Sequence, residues 1–198
     1  MDFFVDIQGF RRSTNLFQLK ELAIVPLENA FLPTICLFKA PCRWAKLLPQ
    51  KRKYNGWLEK YLGIPWNSGS IASSCQIRIS HDNLRSASKI YVKGVEGRKW
   101  IEGILPGKLI INMEETRCPP LRELSTDHRI SCHHHTIREN GMCAVKNAYF
   151  LRNWFLKRRN FQETHEGEDE RHNTNRAGMR IFSASEKCCP FLLSALHY

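Results

Sequence analysis

The chain has no apolar run approaching the roughly 18 residues that a membrane-spanning helix needs, so no transmembrane segment is expected. Nor is a secretory signal expected: Asp2 and Asp6 interrupt the first apolar residues, and neither a basic leader nor a cleavage site accompanies them. There is no internal repeat. Acid is scarce, with 19 Asp and Glu against 30 Lys and Arg, a formal charge of +11 and a pI near 9.5. That imbalance points to a polyanionic partner, either nucleic acid (single-stranded DNA or RNA) or an acidic protein. The eight cysteines, at 36, 42, 75, 118, 132, 143, 188 and 189, do not form a small-domain disulfide framework. Without a signal peptide they are expected as thiols in an intracellular protein, nuclear or cytoplasmic.

What is present suffices for a core. The composition is 42% hydrophobic and 11% aromatic, and 198 residues allow one domain plus a tail. Residues 2–8 read as a strand closed by a turn starting at Gly9, and residues 17–25 and 34–39 read as two more strands of an antiparallel meander. Residues 51–62 place Tyr54, Trp57, Leu58, Tyr61 and Leu62 at helical spacing. Residues 70–86 read as a helix, although Ile77 and Ile79 leave it ambiguous. Strands at 89–93 and 108–112 then flank a helix over 95–105. A short helix over 119–124 precedes a histidine-rich loop. The clearest helix covers 142–158, with Ala144, Ala148, Leu151 and Phe155 in one stripe. The expectation is an α/β chain with a mixed sheet flanked by helices, one domain over 1–158. The tail, 159–198, is charged and expected to be disordered through 180, with an apolar end.

Val5-Asp6-Ile7-Gln8-Gly9 is an apolar run delivering one acid before a glycine. It resembles the first motif of the DEDDh 3′–5′ exonucleases of the RNase H-like superfamily, apolar-Asp-x-Glu-x-x-Gly, with Gln8 where that motif has its second carboxylate. Residues 90–101 resemble the second motif, with Arg98 at its aspartate, or Glu96 if the register slips. Cys143-Ala-Val-Lys-Asn147-Ala resembles the last motif, His-x-Ala-x-x-Asp-Ala, with Cys143 for the histidine base and Asn147 for the aspartate. The chain is also similar to a set of insect proteins that open with Val-Asp-Ile-Gln-Gly-Phe and carry a Tyr-Val-Lys-Gly segment and a Cys-Ala-x-x-Asn helix. The first resemblance implies an RNase H-like sheet. It also implies a pseudo-exonuclease, because two-metal phosphodiester hydrolysis needs several carboxylates around the cations and Asp6 is the one retained.

Three further constellations bear on function. Basic residues gather in two runs, Arg43, Lys46, Lys51, Arg52 and Lys53, and Arg152, Lys157, Arg158 and Arg159. They read either as a solvated face or as a nucleic-acid contact surface, with Trp44 and Trp66 as base-stacking candidates. Cys118, Cys132, His135 and Cys143 carry thiolate and imidazole groups that could hold a structural zinc across the polar loop. Otherwise Cys118 and Cys143 are small buried apolar residues. Cys143 at a helix start could also be a reactive thiol, though no cysteine-enzyme motif surrounds it. The leading expectation is non-catalytic nucleic-acid binding on a degenerate exonuclease-like domain. A protein-interaction module, zinc-stabilised or not, and a metal-dependent nuclease with rearranged ligands are the alternatives.

Overall fold

In a computed structural model of the chain, residues 1–11, 17–124 and 143–177 are described, with side chains through Phe161. Five strands form one mixed sheet in the order β3-β2-β1-β4-β5. They are β1 (Asp2–Arg11), β2 (Phe17–Pro26), β3 (Thr34–Leu37), β4 (Lys89–Val92) and β5 (Ile110–Asn112). β2 runs antiparallel to both β1 and β3, while β1, β4 and β5 are parallel. The helices are α1 (Pro49–Leu62), α2 (Gln76–Leu84), α3 (Val95–Ile104), α4 (Leu121–Leu124) and α5 (Ala144–Ala177). The structure is therefore α/β, a mixed sheet flanked by helices, as the element order implies.

Strand alternation distributes β1 and β2 over two cores. Phe3, Val5, Leu22 and Ile24 face Leu84, Ile101 and Leu105, which end α2 and line α3. Phe4, Ala23 and Val25 face Ala144, Val145, Ala148 and Leu151 of α5. On that second face Phe4 stacks on Tyr91 with ring centroids 4.7 Å apart, and Phe155 closes on both rings at 5.4 and 4.9 Å. Such pairs contribute roughly 0.5–1.5 kcal/mol each beyond the area they bury. A smaller cluster of Phe10, Leu47 and Trp66, with Trp44 and Leu58 against it, seats α1.

The turn expected at Gly9 is displaced. β1 runs through Gly9 to Arg11, and the pairing with β2 shifts register between Gln8 and Gly9, so Lys20 is the extra residue of a bulge. Glycine is required there by crowding: a Cβ would lie 2.3 Å from the Gln18 carbonyl oxygen and 2.6 Å from the Phe17 ring. Lys20, fully buried, donates from Nζ to the Trp66 carbonyl at 2.7 Å and to the Ser68 carbonyl. Burial pushes its ammonium down to about 8, against the opposing pull of Glu59.

Helix limits also differ from the sequence pattern. Residues 70–75 are not part of a helix of the length expected; a short 3₁₀ turn, Ser73–Cys75, leads into α2. The 17-residue helix read over 142–158 is instead α5, which continues through the charged stretch to Ala177. Its Glu, Arg and Gln residues favour the helical backbone, whereas Gly167, Asn173, Thr174 and Asn175 favour it less. The chain divides into two units, Met1–Lys157 and Arg158–Tyr198. Among the described residues no helix is long and apolar enough to cross a membrane.

Candidate functional site

The first strand pairs with β4 only over Asp2–Phe4, whereas its pairing with β2 continues to Arg11. Beyond Phe4 a crevice therefore opens at the carboxyl end of β4. On one side of it the chain turns away toward β2 and β3, and on the other toward α3 and β5. Open α/β sheets bind ligands at such a switch point. The crevice holds a cavity of about 200 Å³ lined in part by Asp6, Gln8, Lys93, Gly94 and Glu96. Gly94, at φ 97°, makes the turn from β4 into α3, and its N–H donates to Asn112 Oδ1 at 3.0 Å.

Asp6 is buried at the base of this crevice. Two amides from different elements donate to the same carboxylate oxygen, Oδ2: Gln8 Nε2 at 2.8 Å and, from α5, Asn147 Nδ2 at 2.9 Å. Burial drives the carboxyl up from 3.8 to about 7; the two amide bonds oppose that rise, and the neighbouring Glu21 adds to it. Glu21, opposite Gln8 across the β1–β2 ladder, is itself buried, and its Oε2 accepts from the Ala144 N–H at 3.1 Å. A carboxylate at the first N–H of a long helix is favoured by the helix dipole. Cys143 lies just before that helix, buried in the α5-side core.

The donor set does not suit the divalent cations that the exonuclease resemblance implies. Hard cations take oxygen ligands, preferably anionic. Here two amide nitrogens donate to one oxygen of Asp6, and no second carboxylate shares that contact. Glu96 also lines the cavity, but it is paired with Arg11 at 2.6 Å. Among the described residues no group of three or more His, Cys, Asp and Glu side chains is placed to hold a metal ion. Of the proposed zinc set, Cys118 and Cys143 share the α5-side core, while Cys132 and His135 lie outside the described residues.

Several sequence-derived assignments need correction. Arg98 does not enter the pocket: it stands on the outer side of α3, bonded to Glu102 at 2.7 Å and to Glu115 at 2.8 Å, and Glu96, two residues nearer the helix start, takes the pocket position. Arg152 is not a surface contact. It is buried, and it donates from Nε to the Leu27 carbonyl at 2.9 Å and from Nη2 to Asn29 Oδ1, fastening the loop after β2 to α5. Trp44 is half-buried, edge-on to Trp66 at 5.6 Å, and Trp66 is buried with its indole N–H on the Cys42 carbonyl. Arg43, Lys46, Arg52, Lys53 and Lys157 are exposed, as are Arg158 and Arg159 in the second unit; Lys51 is half-buried. No ion pair among the described residues engages Arg43, Lys46, Lys51, Arg52 or Lys53. No family of proteins, no curated protein and no solved structure matches the chain in sequence or structure comparison.

Proposed function

We propose that the chain is a non-catalytic nucleic-acid-binding protein built on a degenerate exonuclease-like, RNase H-like domain. The observation that carries binding is the uncompensated basic surface at the entry to α1, where Arg43, Lys46, Arg52 and Lys53 are exposed without ion-pair partners among the described residues. Surface cations left unneutralised by the protein exchange their counterions for phosphates, which is the main source of sequence-independent affinity. Two features support the pseudo-enzyme half of the reading. A central β1 with a meander on one side and parallel strands on the other is the arrangement that the resemblance implies. Asp6 and Asn147, read from its first and last motifs, meet in a hydrogen bond, but as a carboxylate satisfied by amides.

The test is fluorescence anisotropy with labelled single strands across a salt series. If four of these side chains each neutralise a phosphate, log affinity falls against log salt with a slope of about −3. Alanine at Arg43, Lys46, Arg52 and Lys53 together should flatten the slope and weaken all sequences alike. In parallel, protein with Mg²⁺ or Mn²⁺ should leave the strands intact. Folded protein without oligonucleotide affinity at low salt would overturn the binding reading in favour of a protein-interaction module. Cleavage abolished by Asp6→Asn would overturn the non-catalytic one.

A further inference from the structure

Of the apolar residues that helical spacing gathers on α1, the three aromatics lie outside. Tyr54, Trp57 and Tyr61 are 45%, 56% and 48% exposed, while Asn55 and Leu62 are the residues of α1 that are buried. The three rings stand at i, i+3 and i+7, one above another along a single helix face over about 10 Å. Trp57 and Tyr61 lie face to face, centroids 5.1 Å apart and planes 10° from parallel, and Tyr54 adjoins Trp57 at 6.2 Å. Isolated exposed aromatics are ordinary, but three in one row, two of them stacked and the third tilted against them, form a contiguous apolar patch of the kind that marks an interaction surface.

The flanks of this stack state its chemistry. Lys53 and Lys60, seven residues apart, stand beside it on one side, and Lys51 stands on the other. Glu59, the one acid of the helix, falls on the far side by helical geometry. Tyr61 also lines a groove of about 500 Å³ with two cations, Lys93 and Arg122, one acid, Glu114, and Leu121; both Lys93 and Leu121 border the Asp6 cavity as well. The groove beside the stack and the crevice are thus neighbours that share two lining residues. Flat π-faced groups extend a stack of parallel rings, and phosphates suit lysines beside it. A single-stranded nucleic acid carries both at a regular spacing, whereas a duplex hides its base faces.

We propose that the Tyr54–Trp57–Tyr61 face of α1 binds single-stranded nucleic acid by base stacking, directing the strand along the Tyr61 groove toward the Asp6 crevice. This rests on the nucleic-acid reading above and adds the strand form and the element that reads it. The rings hold one another in place, so little rotamer freedom is lost on binding. The contribution is independent of the phosphate contacts, because stacking releases no counterions.

The experiment compares full-length wild type, Trp57→Ala/Tyr61→Ala and Trp57→Phe/Tyr61→Phe. Each is titrated with an unstructured labelled oligonucleotide and with its duplex over a salt series. The alanine pair should lose roughly tenfold or more in single-strand affinity with an unchanged salt slope, and duplex binding should not change. The phenylalanine pair should retain most of the affinity, and both should melt as wild type does. Equal single-strand affinity for wild type and the alanine pair would overturn the stacking proposal and leave the basic-surface reading standing. Failure of wild type to bind either probe would overturn both. A concentration-dependent dimer abolished by the alanine pair, without loss of oligonucleotide affinity, would assign the face to a second copy of the chain and overturn the proposal.

Discussion

Replacing Asp6 with asparagine should make the protein more stable above neutral pH, and the size of the gain follows from the environment of this one carboxyl. In the folded protein Asp6 holds its proton up to about 7; in the unfolded chain it releases it at 3.8. Between those values the native state binds more protons, so stability is full below the lower value and is lost as pH rises through the upper one. At about 1.4 kcal/mol for each pH unit between the two values, the loss is about 4 kcal/mol at pH 8. Asp6→Asn keeps an oxygen that can accept from Gln8 and Asn147 but carries no charge to desolvate. Thermal unfolding of the full chain followed by circular dichroism at a series of pH values reads the difference. Wild type and variant should melt together near pH 4 and separate as pH rises, by on the order of 10 °C at pH 8. A difference in melting that does not change with pH would refute the reasoning. So would Mg²⁺ stabilising wild type but not the variant at pH 8, because the carboxyl would then be kept ionised for a cation.

Two stability predictions test the frame around the site. Gly9→Ala should destabilise by about 2–3 kcal/mol, since the new Cβ meets the Gln18 backbone oxygen at 2.3 Å and backbone cannot step aside as a side chain would. A denaturation midpoint equal to wild type would show that the bulge relaxes. Arg152→Ala should cost about 1–3 kcal/mol by stripping the Leu27 carbonyl and Asn29 of their donor. It should leave the salt dependence of oligonucleotide binding as it was; a flattened slope would return Arg152 to the contact surface.

The α/β frame was legible because strand-forming and helix-forming segments differ in period, and because Pro and Gly punctuate them. Asp6 and Asn147 were legible as motif positions, and folding brings them to 2.9 Å. Glu21 was missed inside an apolar strand, although the adjacent pair Lys20-Glu21 breaks the two-residue alternation and was a readable sign of a bulge beside something polar. Arg98 was misplaced because a helix turns 100° per residue, so an error of two positions moves a side chain from the pocket to solvent. Which face of α1 is covered was not legible, for a different reason. Spacing identifies a stripe but not what covers it, and here the adjacent stripe through Asn55, Leu58 and Leu62 is the one turned to the protein. Arg152 shows the opposite error: a long cation in a basic run reads as surface, yet the carbonyl of Leu27 and the amide oxygen of Asn29 solvate it inside.

The overhang of β1 past β4 leaves part of a central strand without its second neighbour, an open template on which a foreign strand could add. The chain blunts it at its tip. Asn55 of α1 accepts from the Arg11 N–H and donates to the Arg11 carbonyl, each at 3.1 Å, so one side-chain amide makes the paired bonds that a residue of an incoming strand would make. The bulge bends the ladder just before that point, and the Arg11–Glu96 ion pair links the tip to the start of α3. The open stretch of the central strand is thereby closed at its tip by a single amide acting as a strand one residue long.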